Sequence, residues 1–151
     1  MSVLADHERL TLVKMLRVMF PHDSFPDGPY ERTAQAVIDS AAASPRTLAQ
    51  LLQGLHDLDR LRGEPFVELE FEVALTVLRG IQDAPFFTSV LGTASVKLYD
   101  DHEVWDLLGY EGPSFDKGGY INRGFNDLDW LPEPRIEGIP MLENPPQEVA
   151  L

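Results

Sequence analysis

Four histidines are the residues of this chain best suited to acid–base or metal chemistry: His7, His22, His56 and His102. An imidazole can act as a general base or bind a metal near neutral pH. None of the four belongs to a His-x-x-x-His or Glu-x-x-His pair, so the sequence predicts no metal site on a helix. Because the chain has no cysteine, disulfides, thiolate zinc sites, iron–sulfur clusters and covalent c-type haem are excluded as well.

His56 lies in a leucine-rich segment, next to Asp57 and close to Asp59 and Arg60. It could be a general base, or it could be an ordinary histidine on a helix surface. We favour the surface interpretation because no nucleophile accompanies it and the chain has no Gly-x-Ser-x-Gly motif.

The segment from Tyr110 to the C-terminus combines aromatic residues with helix breakers. Glycine and proline supply 11 of the 41 residues of Glu111–Leu151, a density that disfavours helices and strands. Disordered tails are poor in aromatic residues, whereas this segment keeps several. We therefore expect residues 110–151 to form a long irregular tail whose rings are buried on this chain's own domain or on a partner.

The aromatic residues of the tail allow two interpretations. Tyr120, Phe125 and Trp130, with Asn and Asp between them, could form a stacking platform for a sugar. Alternatively they anchor the tail to a partner protein, since Tyr, Trp and Arg dominate binding energy at interfaces. We favour anchoring because the tail has no scaffold of its own to hold a well-defined pocket. The predicted partner-binding residues are Trp105, Tyr110, Tyr120, Arg123, Phe125, Asp127, Asp129 and Trp130.

Apolar residues at helical spacing predict an all-α bundle over residues 1–109. About five helices and a short sixth piece are expected, and no Gly-rich turn between strand and helix indicates a nucleotide-binding fold. The predicted segments are Ala5–Phe20 with Asp6 as N-cap, Tyr30–Ala42, Pro45–Leu61 after the N-cap Ser44, Val67–Ile81, Phe86–Tyr99, and His102–Leu108 between the cap Asp101 and Gly109.

Three further expectations concern how these helices pack. The Val67–Ile81 segment carries apolar residues on more than one face, which predicts the most buried helix. Gly54 stands in mid-helix, where glycine costs up to about 1 kcal/mol relative to alanine, and this predicts close approach of a neighbouring helix. In the fifth helix the residues expected to face the core are Phe87, Val90, Leu91, Ala94 and Leu98.

The length of 151 residues and the formal net charge of −13 fit one acidic domain. Nucleic acid and anionic membrane surfaces require a basic footprint, so the acidic charge argues against both as partners. No apolar stretch reaches the ~18 residues that a membrane span needs. The N-terminus lacks the basic and apolar regions of a signal peptide, which leaves open a cytoplasmic location or export to the periplasm with a partner.

Several motifs of the second half resemble one known family. They are Phe86-Phe87, Tyr99-Asp100-Asp101-His102-Glu103-Val104-Trp105, Leu108-Gly109-Tyr110-Glu111-Gly112-Pro113 and Gly118-Gly119-Tyr120. Together with the short helical domain before them, they resemble the gluconate 2-dehydrogenase subunit 3 family and the related small subunits of flavin-dependent glucose and glucoside 3-dehydrogenases. The resemblance covers most of the chain and is most specific between Phe86 and Tyr120.

This resemblance implies a non-catalytic small subunit that binds and stabilises a large FAD-dependent sugar dehydrogenase subunit of the glucose-methanol-choline type. In such complexes the large subunit carries the flavin and the active site, and a separate cytochrome c often accepts the electrons. FAD is then expected in the partner, and no cofactor is expected in this chain. Many family members carry a twin-arginine signal that this sequence lacks, so assembly rather than export is the expected role.

Two other functions remain open from the sequence. An independent sugar-active enzyme, such as a hydrolase or isomerase, would use His102, Asp127 and Asp129. A maturation chaperone would bind the flavoprotein and leave it afterwards. The two aspartates fit turn caps, or partners of an arginine across an interface, better than they fit a catalytic pair.

Overall fold

The computed structural model of the chain describes residues 4–119, which contain six α-helices and no β-strand. The helices are α1 Asp6–Met19, α2 Asp27–Ala42, α3 Pro45–Arg60, α4 Phe71–Gly80, α5 Pro85–Tyr99 and α6 His102–Leu108, with 3₁₀ turns at Phe66–Glu68 and Phe115–Lys117. The predicted all-α fold class is confirmed for this part of the chain. No helix within it is long and apolar enough to span a membrane.

The chain divides into two compact units, Met1–Gly112 and Pro113–Leu151. The first unit holds α1 to α6. The described residues of the second unit, 113–119, contain the 3₁₀ turn Phe115–Lys117. That residues 110–151 wrap around a partner stays a prediction.

The core of the first unit is built around α1 and α2. Helix α1 packs against α2, α3, α4 and the turn Phe66–Glu68, and α2 packs against α1, α3 and α5. Leu12, Met15 and Leu16 of α1 are completely buried. Burial of one such side chain stabilises the fold by roughly 1.5–3 kcal/mol, so the α1 face contributes substantially to the stability of the bundle.

The prediction that the fourth helix is the most buried was wrong. Residues 66–68 form a separate 3₁₀ turn, so α4 begins only at Phe71 and packs against α1 on one side. Phe71 and Val73 are 40% and 39% exposed, and α4 buries Ala74, Val77 and Leu78. The apolar residues that suggested two buried faces are therefore divided between one buried face and solvent.

The helix starts follow local capping chemistry, with two corrections. Ser44 caps α3 as predicted, since its hydroxyl accepts the Arg46 N–H at 3.2 Å. Asp6 is not the N-cap of α1, because Ala5 holds that position and the Glu8 carboxylate accepts the Ala5 N–H at 2.7 Å. Helix α2 starts three residues earlier than predicted, since Pro29 falls in the first turn, where its missing N–H has no intrahelical partner to lose.

The contact between α3 and α5 depends on Gly54, which confirms the predicted close approach. A Cβ atom at position 54 would lie 2.2 Å from Cγ of Phe86, far inside van der Waals contact. Phe86 begins the buried face of α5, which continues through Val90, Ala94 and Leu98. Leu91, predicted to face the core, is 40% exposed instead, because the face is set by residues four apart starting at Phe86.

Candidate functional site

The short helix α6 is held against the rest of the first unit by an ion-pair clamp. Arg32 of α2 donates from Nε to Asp101 Oδ2 at 2.6 Å and from Nη2 to Asp101 Oδ1 at 2.9 Å. The same Nη2 donates to Glu103 Oε2 at 2.6 Å. A two-pronged guanidinium–carboxylate contact of this kind fixes orientation as well as distance, so α2 sets the direction in which α6 leaves the bundle.

Asp101 is also the N-cap of α6, as predicted from the sequence. Its Oδ1 accepts the Glu103 N–H at 3.0 Å. Hydrogen bonds from Arg32, followed by those from the backbone of α6, hold the pKa of Asp101 below its usual value, although partial burial opposes the shift. The hydrogen bond to Asp101, followed by the one to Glu103, raises the pKa of Arg32. Asp101 is therefore charged at neutral pH, and its charge joins two helices.

Trp105 is oriented by contacts on three sides. Its indole Nε1–H donates to the backbone carbonyl of Tyr99 at 2.6 Å. The His102 ring stacks on the indole with centroids 4.5 Å apart and an interplanar angle of 17°. Val104, next to it in the helix, is fully buried and anchors α6 in the core. The polar atom of the indole is thus satisfied inside the molecule, and the ring itself is only partly exposed.

Two glycines bring Tyr110 back onto Trp105. Gly109 ends α6 in the left-handed region at φ 70°, as predicted for a C-terminal cap. The Tyr110 N–H then donates to the Trp105 carbonyl at 2.8 Å, and the two rings meet edge to face with centroids 5.2 Å apart. Gly112, at φ 81°, passes so close that an added Cβ would lie 3.2 Å from the indole. These glycines explain why this short sequence folds back.

The result is an exposed apolar surface at the C-terminal end of α6, which we call the α6 patch. It consists of Trp105, Leu107, Leu108 and Tyr110. Leu107, Leu108 and Tyr110 are each roughly half-exposed. The acidic residues Asp100 and Asp106 flank it and are exposed. Adjacent exposed leucines and aromatic rings mark an interaction surface more often than a catalytic one.

The predicted partner-binding residues are only partly within the described range. Trp105 and Tyr110 are described, and the structure brings their rings into contact. The remaining six, Tyr120, Arg123, Phe125, Asp127, Asp129 and Trp130, lie outside the described residues. The alternative in which His102 acts with Asp127 and Asp129 stays a prediction for the same reason. In the second unit, Phe115 is 91% exposed.

His56 is a half-exposed histidine on the surface of α3, as the sequence favoured. Its Nε2 lies 2.8 Å from Glu8 Oε1 of α1. In a second pair the histidine is on α1 and the acid is on α3, since His7 Nε2 lies 2.6 Å from Asp59 Oδ2. Each carboxylate also accepts a backbone N–H with its other oxygen, Glu8 from Ala5 and Asp59 from Phe66. The four side chains brace α1 against α3.

This double brace was missed from the sequence, although His7 stands beside Glu8 and His56 stands three residues before Asp59. Those spacings are visible, but the pairing of the helices is not. Among residues 4–119 no group of three or more His, Asp or Glu side chains could hold a metal ion. Within that range the α6 patch is therefore the better candidate for function.

Comparison of the chain with protein-family models, with curated proteins and with solved structures finds no match in any of the three. The resemblance to the gluconate 2-dehydrogenase subunit 3 family therefore stays a prediction based on the motifs quoted above.

Proposed function

We propose that this protein is the non-catalytic small subunit of a flavin-dependent sugar dehydrogenase. It binds and stabilises a large FAD-containing subunit of the glucose-methanol-choline type, and a cytochrome c accepts the electrons from that large subunit. The observation that carries the proposal is the α6 patch, an apolar surface that the rest of the first unit holds in a fixed orientation.

The use of polar groups around the patch favours binding over catalysis. An active site needs convergent polar groups that can touch a substrate. Here the Trp105 Nε1–H donates to the backbone carbonyl of Tyr99. The Asp101 carboxylate accepts hydrogen bonds from Arg32 and from the backbone of its own helix. What the patch offers to the outside is ring surface and leucine side chains, which suit a protein partner.

The nature of the partner comes from the family resemblance, and the geometry agrees with it in one respect. The motif Tyr99–Trp105 and the motif Leu108–Pro113, which carry the resemblance, meet in the structure around Trp105. Val104 ties this segment to the core, whereas Leu107, Leu108 and Tyr110 are exposed beside it, and exposed apolar side chains grouped in this way favour recognition of a partner. The exposed Phe115 of the second unit adds another ring that a partner can cover.

The test is co-expression of the full chain with a candidate large FAD-containing subunit of the glucose-methanol-choline type, followed by co-purification. We expect a soluble, flavin-loaded large subunit that depends on this chain. Leu108→Glu, at a position 58% exposed, should weaken the complex by tenfold or more because it puts a charge into the patch. Leu10→Glu is the matched control, since Leu10 is 60% exposed on α1 and should have no effect.

Recovery of an equally soluble, flavin-loaded large subunit without this chain would overturn the proposal. Equal weakening by the two glutamate variants would also count against it, because the effect would then come from added charge and not from the patch.

A further inference from the structure

A second apolar surface lies on the first unit between α4 and α5, over the C-terminal end of α1. It is lined by Val18, Met19, Leu75, Leu78, Arg79, Gln82, Phe87 and Leu91. Both α4 and α5 pack against the central helices, α4 against α1 and α5 against α2 and α3. They thereby leave between them an open channel, which we call the α4–α5 groove.

The side chains of the groove are placed as a helix-binding surface requires. Leu75 of α4 is partly exposed on one wall, Phe87 and Leu91 of α5 lie four apart on the other, and the buried Leu78 and Val18 form the floor. An apolar helix laid between the two walls inserts its own side chains at the same spacings. The cavity has a volume of about 170 Å³, below the ~300–1,000 Å³ typical of small-molecule pockets, which favours inserted side chains over a small ligand.

The charge of the groove differs from that of the molecule. The chain has a net charge of −13, yet none of the described residues lining the groove is acidic and one is basic. Arg79 is exposed and makes no hydrogen bond or ion pair with any described residue. A guanidinium that has no partner among the described residues, at the edge of an apolar channel, complements a segment that carries a carboxylate beside its apolar face.

We propose that the α4–α5 groove receives an amphipathic helix of the large flavoprotein subunit, with an Asp or Glu of that helix opposite Arg79. This inference rests on the proposed function for the identity of the partner. It adds a second contact surface, separate in the sequence from the α6 patch and of opposite local charge. A second copy of this chain is the alternative occupant that the experiment must exclude.

The first experiment compares two glutamate variants of α5 in the full chain, co-purified with the flavoprotein and titrated by calorimetry. Leu91→Glu, 40% exposed and in the groove, should raise the dissociation constant by tenfold or more. Val96→Glu, 61% exposed on the same helix but outside the groove, should leave it unchanged. Circular dichroism checks that both variants fold, which is expected because both side chains already contact solvent.

The second experiment reverses charge at Arg79. Arg79→Glu should weaken the complex by about three- to tenfold, and the loss should shrink at high salt. Lys97→Glu, the same charge reversal at an exposed position of α5, should be neutral. If Leu91→Glu kept full affinity for the flavoprotein, the proposal that the groove binds it would be overturned, and the proposed function would still stand. Failure of the unaltered chain to bind the flavoprotein would overturn both.

Sedimentation of the free chain tests whether a second copy of this chain occupies the groove. A monomer supports the proposal. The free chain could instead be a dimer that Leu91→Glu dissociates, while the same variant leaves the flavoprotein complex unchanged. That result would assign the groove to a second copy of this chain and overturn the proposal.

Discussion

The α6 patch and the α4–α5 groove are both apolar and exposed, but they are built in different ways. The patch stands on a seven-residue helix that ion pairs and one indole hydrogen bond hold in place. The groove is the space between two longer helices that are fixed by apolar packing. The patch is flanked by exposed acids, whereas the groove carries one exposed arginine, Arg79.

This difference indicates how each surface should respond to change. A surface that depends on a charged clamp is sensitive to pH, to salt and to the loss of one arginine. A surface that depends on helix packing is sensitive to volume changes in the core beneath it. Substitutions beneath one surface, outside its exposed side chains, can therefore affect that surface and spare the other.

The largest effect is expected from Gly54→Ala, which acts on the groove through the core. The new methyl group would meet the base of the Phe86 ring at 2.2 Å, and overpacking of this kind costs about 1–3 kcal/mol. The gain in helix propensity, up to about 1 kcal/mol, offsets part of that cost. Phe86 adjoins the groove residue Phe87, so we expect lower thermal stability and faster amide exchange at the start of α5, with α6 little changed.

Gly92→Ala is the matched control on α5, because a Cβ there meets no atom within 4 Å. It should be neutral or slightly stabilising. If Gly54→Ala were as stable as Gly92→Ala in chemical denaturation, the close contact between α3 and α5 would be refuted.

A smaller effect is expected from Arg32→Gln, which acts on the patch through its clamp. The Arg32 side chain is half-exposed, so solvent screens the pair, and we expect a loss of about 1 kcal/mol in unfolding free energy at neutral pH. Faster amide exchange in α6 and weaker binding of the partner should accompany it. Arg46→Gln, at an exposed arginine in the first turn of α3, is the control.

The same variant has a predicted pH dependence. The pKa of Asp101 is lowered in the folded protein by Arg32, below the value of about 3.9 of an unperturbed aspartate. The stabilisation is therefore complete above that value and is lost as the pH falls through the folded pKa. The difference in stability between the unaltered chain and Arg32→Gln should accordingly shrink below about pH 4. A difference that stays constant to pH 2 would show that the clamp does not act through the charge of Asp101.

The sequence predicted local features of both regions and missed the long-range ones. The roles of Gly54 and Asp101 were predicted correctly because a mid-helix glycine and an N-cap aspartate can be interpreted from the few residues around them. Arg32 was not connected to Asp101, since 69 residues separate them and only the packing of α2 near α6 joins them. Leu91 was expected in the core because sequence periodicity places it on the apolar stripe of α5. Periodicity does not show that α4 and α5 are separated by a groove, which leaves Leu91 exposed.

The smallest effect is expected from Thr33→Val, which should change stability without touching either surface. Thr33 on α2 is buried, and its hydroxyl has no hydrogen-bond partner among the described residues. Burying an unpaired polar group costs free energy that an apolar isostere avoids, so the variant should gain up to about 1 kcal/mol in urea unfolding. Thr47→Val should do the opposite, because the Thr47 hydroxyl donates to the Ala41 carbonyl at 2.6 Å. If the Thr33 variant is more stable but binds the flavoprotein with unchanged affinity, stability and recognition are separate properties. If affinity changes together with stability, binding depends only on how well the bundle is folded and not on the two surfaces.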